Sequence, residues 1–338
     1  MRRVAILGST GSIGVNTLKV IDRYPQAFKV TALTAYNNKD LLKAQVAKYR
    51  PKHFALGDQD ANQLADIAAA KDVDVVVIAV RGAAALAPFL AAAKAGKTIA
   101  PANKEALVIA GELIMAQAKR SGAVIVPVDS EQSAIFQCLE GQKTPVRKVH
   151  LTASGGPLKD VPAKKFDRMT VADILRHPRW KMGPKITVDS ATLMNKGFEF
   201  IEAQRLFGLR YDQIEVVVHP QAIIHSMVEF EDGSVLAQLG VTDMRLPIQY
   251  ALTYPQRWAT GLKPLNFAQV GQLDFEPPDV RKFPALKLAM DAAKSAGTMP
   301  CVLNAADEEA VEQFLKGKLT FTGIYKVVEK VVSRHKIL

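Results

Sequence analysis

Asp129-Ser130-Glu131 sets two carboxylates two residues apart, directly after the apolar run Val124–Val128. In an extended chain such residues point to one side of a sheet. Two like charges held together call for a counter-charge, and oxygen-only donors suit a hard divalent cation, Mg²⁺ or Mn²⁺, better than zinc. A pair simply solvated at a strand end accounts for the same residues equally well. Further on, the stretch Ser190 to Glu199 places Asn195, Lys196 and Glu199 on one face if it is helical, at spacings of three and four. A lysine and an amide beside a carboxylate can hold a phosphate next to a metal, although the same spacing also describes a surface ion pair worth only tenths of a kcal/mol. Ser154-Gly155-Gly156-Pro157 is a turn whose N–H groups and serine suit an anion, or an ordinary loop. Ala102-Asn103-Lys104-Glu105 follows the strand-like Thr98–Ala100, which would put Lys104 at the carboxyl edge of a sheet or leave it as a solvated charge.

Gly8-Ser9-Thr10-Gly11-Ser12-Ile13-Gly14 comes straight after the first strand and opens the first helix, the setting of a nucleotide phosphate loop. Its GxxGxxG spacing differs from GxGxxG, so a bland tight turn is the competing reading. Near the end of the second strand the chain reads Thr34-Ala35-Tyr36-Asn37-Asn38-Lys39, with no carboxylate for a ribose 2′-OH. With Lys39 close by, NADPH is favoured over NADH, while two asparagines also make an everyday turn. His177-Pro178-Arg179-Trp180-Lys181-Met182-Gly183-Pro184 is a loop by its prolines yet carries Trp180 and Met182, so it reads either as a lid or as packing onto a neighbouring domain. His219 and His225, six apart in a segment that precedes a strand, read as hydrogen-bonded structural residues.

These groups need elements to position them. Residues 1–128 alternate short β-branched runs with helical stretches (Val4–Leu7, Val15–Arg23, Val30–Leu33, Asp40–Tyr49, Val73–Val80, Ala84–Ala95, Gly111–Ser121, Val124–Val128), which predicts α/β organisation with a Rossmann-like parallel sheet covered on both faces. Residues 129–257 form an α+β catalytic zone with strands at Val146–Thr152, Glu215–Val218 and Ser234–Leu239. The proline-rich 258–284 reads as a linker, and 285–338 as a small C-terminal helical bundle. Apolar residues at 49% and charged residues at 23% fit a globular chain and exclude disorder, collagen and coiled coil. Two distant cysteines exclude a disulfide framework and fit a reducing compartment. The apolar run after Met1-Arg2-Arg3 is too short for an export signal, and Asp74, Arg81 and Pro88 interrupt the region most like a membrane span, so a cytoplasmic location away from membranes is expected. The net charge of +11 favours anionic partners, phosphorylated metabolite or nucleic acid alike.

Taken in order, GSTGSIG (8–14), ANKE (102–105), VDSE (128–131), SGGP (154–157), HPRWKMG (177–183), VDSATLMNKGFE (188–199), HPQAIIHSMVEF (219–230) and VLNAADEEAV (302–311) resemble the 1-deoxy-D-xylulose 5-phosphate reductoisomerase family nearly end to end. The resemblance implies a homodimer that uses NADPH and Mg²⁺ or Mn²⁺ on a phosphorylated substrate, in the non-mevalonate route to isoprenoids. It implies Asp129, Glu131 and Glu199 as metal ligands, and Ser154, Ser190, Asn195 and Lys196 with His177 as the phosphate site. Ser130 and Lys104 would meet the reacting oxygens, with Trp180 and Met182 closing over them. The cofactor would rest on Gly8, Ser9, Thr10, Gly11, Ser12, Ile13 and Gly14, with Asn37, Asn38, Asn103, Glu105 and Gly183. In that family a retro-aldol cleavage and recombination give a branched aldehyde, which NADPH reduces.

The chain departs from the family in three places. The segment between Gly57 and Asp72 is about twenty residues shorter, which implies loss of a strand and a helix. The chain stops at Leu338, where family members continue, and Tyr36-Asn37-Asn38 replaces a small and a basic residue near the 2′-phosphate. Three alternatives compete, one of them an inactive paralogue, motivated by the shortened cofactor domain. A semialdehyde- or homoserine-type NAD(P) dehydrogenase shares the glycine loop but needs no carboxylate triad. A nucleic-acid-binding protein would use the basic stretch Lys316–Lys336, which no aromatic stacking run accompanies; with the family reading, no nucleic-acid partner is expected.

Overall fold

The computed structural model describes residues 1–57, 61–176 and 182–337. The chain divides into two compact units, Met1–Phe136 with Asp243–Lys263, and Gln137–Thr242 with Pro264–Leu338.

The first unit is built on strands β1 (Arg2–Leu7), β2 (Phe28–Ala35), β3 (His53–Leu56), β4 (Val75–Ile78), β5 (Thr98–Pro101) and β6 (Val124–Ile125). They pair in parallel in the order β3-β2-β1-β4-β5-β6, the doubly wound arrangement whose carboxyl edge receives ligands. Val4 to Leu7 and Val75 to Ile78 are almost completely buried, as continuous β-branched runs require in a sheet covered on both faces. Helix Ser12–Arg23 follows β1 at once, and helix Arg245–Thr253 packs against it.

Most elements fall where apolar periodicity places them. β3 and the helix Ala61–Ala69 were not expected. In His53-Phe54-Ala55-Leu56 only Ala55 is buried, because β3 is an edge strand, so its apolar signal is weak. The shortened segment after Gly57 therefore leaves this six-strand order intact. Helix Glu105–Ser121 begins six residues earlier than the expected Gly111–Ser121, with a break at Ala110 (φ −144°, ψ 31°) that interrupts the periodicity.

In the second unit β7 (Val146–Ala153), β8 (Ile214–Val218), β9 (Ile224–Phe230) and β10 (Val235–Leu239) form a mixed sheet in the order β10-β9-β7-β8. Helices Pro284–Ser295, Met299–Leu315 and Phe321–Val332 belong to this same unit, tied by ring contacts of Phe166 with Phe283 and Phe321. Helix Met194–Phe207 packs on Pro284–Ser295 so closely that a Cβ on Gly197 would collide with Ala289.

These units cut across the boundaries read at 128, 257 and 284. Trp258 packs on Tyr24 and Phe28, with ring centroids 5.0 and 5.8 Å away, and Arg23 donates to the Ala259 carbonyl. Aromatic burial thus holds the start of the expected linker to the N-terminal sheet, and proline content could not reveal it.

Candidate active site

In the first unit, parallel pairing assembles the charged cluster. β5 ends at Pro101, and the chain beyond β6 stays in register with it, Val126 N donating to Ile99 O (2.8 Å) and Val128 N to Pro101 O (3.0 Å). Lys104 and Asp129 follow these two ends and meet at the carboxyl edge, Nζ to Oδ2 2.5 Å, with side chains only 7% and 13% exposed. Lys104 is therefore not a solvated surface charge. Asp129-Ser130-Glu131 does not continue extended: a helix starts at Ser130, and Ser133 N donates to Asp129 O (2.8 Å). Strand alternation consequently does not orient the two carboxylates; Glu131 projects from a first helical turn, where Ser130 Oγ donates to its Oε2 (2.5 Å). The N-terminus of a helix tolerates that negative charge well.

The glycine loop occupies the β1 carboxyl end. Gly8 has φ +92° and its Cα faces the Ala79 carbonyl so closely that a Cβ would stand 2.5 Å from that oxygen, a position open only to glycine. Gly11 is the N-cap of helix Ser12–Arg23 and supplies no side-chain cap, and the first turn holds no acidic residue. An anion there would satisfy exposed N–H groups and the helix dipole. Ser9 and Gly14 are buried, Thr10 and Ile13 half-buried, and Gly11 and Ser12 exposed. Asn37 is exposed, and Asn38 caps the next helix by accepting from Leu41 N (3.2 Å). Asn103 is committed to backbone, its Nδ2 donating to Val80 O (2.9 Å) and Gly82 O (3.2 Å) and its Oδ1 accepting from Ala106 N (2.9 Å). Glu105 is half-buried at the start of the helix whose Ala106 N–H donates to Asn103.

In the second unit helix Pro184–Thr192 turns directly into helix Met194–Phe207 through Leu193, which adopts φ +62°. This corner places Ser190, on the last turn of one helix, beside Asn195 and Lys196, on the first turn of the next. The Ser154 turn reaches the same corner: a Cβ on Gly156 would overlap the Ser190 carbonyl. Glu199 is 1% exposed, takes a 2.6 Å bond from Asn195 Nδ2 and pairs with Lys196, itself 4% exposed. Burial removes the reading of a surface ion pair. Met182 is half-buried and Gly183 is the N-cap of helix Pro184–Thr192, whereas His177 and Trp180 lie outside the described residues.

Burial pushes the His225 imidazole down to about 4, with His219 and Lys196 adding to the effect and the Gly240 and Val241 backbone opposing it. An unfolded histidine titrates near 6.5, so on acidification below that point the unfolded chain takes up a proton that the folded chain refuses. Folding stability attributable to His225 is intact at pH 7 and falls between about 6.5 and 4. Urea unfolding at pH 7 and pH 5 should show the wild type losing about 2 kcal/mol more than His225→Gln; equal losses would remove the histidine from the acid response.

One half-buried group has no counterpart among the sequence-derived candidates. Lys185, second residue of helix Pro184–Thr192, contacts Asp189 Oδ2 at 2.6 Å and Asp307 Oδ2 at 2.9 Å and lies 4.7 Å from the Phe198 ring centroid. A lysine in a first helical turn opposes the helix dipole, and that conflict was the available signal.

Comparison with known proteins agrees throughout the chain. Family profiles described as 1-deoxy-D-xylulose 5-phosphate reductoisomerase match residues 4–65 and 58–111; that enzyme's C-terminal domain profile matches 125–207, and a DXP reductoisomerase C-terminal domain profile matches 239–337. The 1-deoxy-D-xylulose 5-phosphate reductoisomerase of Pelotomaculum thermopropionicum is 50% identical over 100% of this chain and 92% of its own, and that of Heliobacterium modesticaldum 49% identical over 99% and 91%. A crystal structure of DOX-P reductoisomerase with NADPH, fosmidomycin and magnesium superposes with a TM-score of 0.94 at 42% identity, covering 99% of this chain and 90% of the other. The Zymomonas mobilis enzyme with NADPH gives 0.89 at 41%, covering 99% and 92%.

Proposed function

The chain belongs to the 1-deoxy-D-xylulose 5-phosphate reductoisomerase family, and from that membership we infer that it converts 1-deoxy-D-xylulose 5-phosphate to 2-C-methyl-D-erythritol 4-phosphate with NADPH and a divalent metal, a step of non-mevalonate isoprenoid biosynthesis. Identity near one half across essentially the whole chain carries this reading.

The residue roles are our proposal. Asp129, Glu131 and Glu199 are an all-carboxylate donor set, which fits Mg²⁺ or Mn²⁺. The uncapped helix start at Gly11 and the closely approached Gly8 fit a dinucleotide pyrophosphate. When bound, the metal supplies Lewis acidity to the substrate's oxygens and NADPH supplies hydride. Lys104 adds positive charge where an oxyanion develops, and Ser130 meets a substrate oxygen beside it. Ser154, Ser190, Asn195 and Lys196 hold the phosphate, so that binding energy from this remote group orients the reacting carbons. His177 joins them, and Trp180 and Met182 exclude water, on the family resemblance. Asn103 positions the chain between the β4 and β5 ends, a role its saturated amide supports.

A homodimer is proposed as well. β10 is an edge strand with Val235 50% and Leu236 39% exposed, and such an edge is satisfied by pairing with a second copy. Light scattering should give about twice 36.8 kDa; a monomer would exclude it. The cytoplasmic assignment is likewise a proposal; no helix among the described residues is long and apolar enough to cross a membrane.

The decisive assay follows NADPH absorbance with 1-deoxy-D-xylulose 5-phosphate. Oxidation should require added Mg²⁺ or Mn²⁺ and show higher kcat/KM with NADPH than with NADH. Metal-independent oxidation would favour an ordinary dehydrogenase instead.

A further inference from the structure

The helix Lys39–Tyr49 has two buried residues, Leu42 and Gln45. Gln45 is 6% exposed and aims its amide at Ser9, which is fully buried in the glycine loop. The contact is reciprocal: Ser9 Oγ donates to Gln45 Oε1 at 2.7 Å, and Gln45 Nε2 donates to the Ser9 carbonyl at 3.0 Å. On its other side the loop hangs from β2, with Ser9 N to Thr34 O at 2.7 Å and Gly8 N to Thr34 Oγ1 at 3.1 Å. Ser9 Oγ also faces the Thr34 carbonyl at 3.1 Å, but a buried amide satisfied at both ends still fixes two segments in one geometry, since breaking either bond leaves one end of the Gln45 amide desolvated. The two segments are the phosphate loop and the helix opened by Asn38 and Lys39, at the carboxyl end of β2 where the ribose end of a dinucleotide lies in this fold.

We propose that Gln45 is a positioning residue for the cofactor: through Ser9 it sets the phosphate loop, and through its own helix it sets the Asn38-Lys39 turn, so that pyrophosphate and ribose 2′-phosphate are received together. This rests on the reading of Gly8–Gly14 as the NADPH loop. Nothing in the residue type announced it, since a glutamine in mid-helix reads as a solvated side chain.

Gln45→Met keeps the volume and removes both bonds; Gln45→Asn keeps the amide but is too short to span them. NADPH binding measured directly by cofactor fluorescence should weaken at least fivefold in either variant, with NADH binding changed less, so that NADPH/NADH selectivity falls. At saturating NADPH, kcat should stay within twofold. A purely structural glutamine would lower Tm and leave the dissociation constants and selectivity of the folded enzyme alone, and that result overturns the proposal. If Gln45→Met does not fold, Gln45→Asn decides on the same criteria. Gly11→Glu serves as control, because a Cβ there meets only the Gly8 carbonyl at an ordinary 3.5 Å. Its carboxylate should abolish NADPH binding. If it does not, the loop reading itself fails; if it does while both Gln45 variants bind normally, only the role of Gln45 fails.

Discussion

Glu131→Gln is expected to lower kcat/KM by at least about 100-fold at limiting Mn²⁺ while leaving the NADPH dissociation constant unchanged. The substitution keeps the volume and the helical first turn in which Ser130 Oγ meets the side chain at 2.5 Å. What it removes is a formal charge and one of two acceptor oxygens. Hard cations surrender their hydration shell reluctantly, so a neutral amide in a three-carboxylate set weakens binding far more than it disturbs the fold. Calorimetry should show the loss as reduced Mn²⁺ affinity, and excess metal should recover part of the rate. Full activity at limiting Mn²⁺ would take Glu131 out of the metal site. The nearby Lys104 gives a second check of the same logic. Its ammonium sits 2.5 Å from Asp129, so in the proposed site lysine and metal would share one carboxylate, and weakened metal binding should leave that ion pair standing.

How far the sequence could be read depended on whether the signal was local. Continuous apolar runs announced β1, β2 and β4 because each strand is buried on both faces, and the 3.6-residue period announced the helices that cover them. β3 stayed silent because an edge strand buries one residue in four. The glycine loop could be read because its backbone needs glycine for steric reasons at Gly8. Asp129 and Glu131 drew notice for the wrong geometric reason: the expectation of a strand end is replaced by a helix start, because β6 pairing carries the chain only as far as Val128. Asn195, Lys196 and Glu199 were placed correctly on a helix face, yet their burial, which separates a site from a surface pair, comes from packing that no window of sequence contains. Gln45 was invisible for the same reason, as its partner Ser9 is 36 residues away, and Lys185 offered only its conflict with the helix dipole, its partner Asp307 lying 122 residues away.

Lys185 carries the largest stability effect expected in the second unit. Asp189 and Asp307 are 3% and 0% exposed, and each directs an oxygen at the single ammonium. Such an arrangement is a poor source of net stability, since desolvating three charges consumes most of the Coulombic gain; removing one partner is another matter. Lys185→Met would remove the cation that both interior carboxylates face, at a cost of about 3–5 kcal/mol, and Tm should fall by on the order of 10 °C. Asp307→Asn in the same chain removes one of the stranded charges at equal volume, so Lys185→Met/Asp307→Asn should recover part of the loss, a non-additivity expected of groups in contact. The helix that Lys185 anchors to Met299–Leu315 bears Ser190 near its other end, so the single variant should also raise KM for the phosphorylated substrate more than it lowers kcat, with NADPH affinity unchanged. A Lys185→Met protein within about 1 kcal/mol of wild type, with no recovery in the double variant, would mean that the two aspartates do not depend on the lysine for compensation.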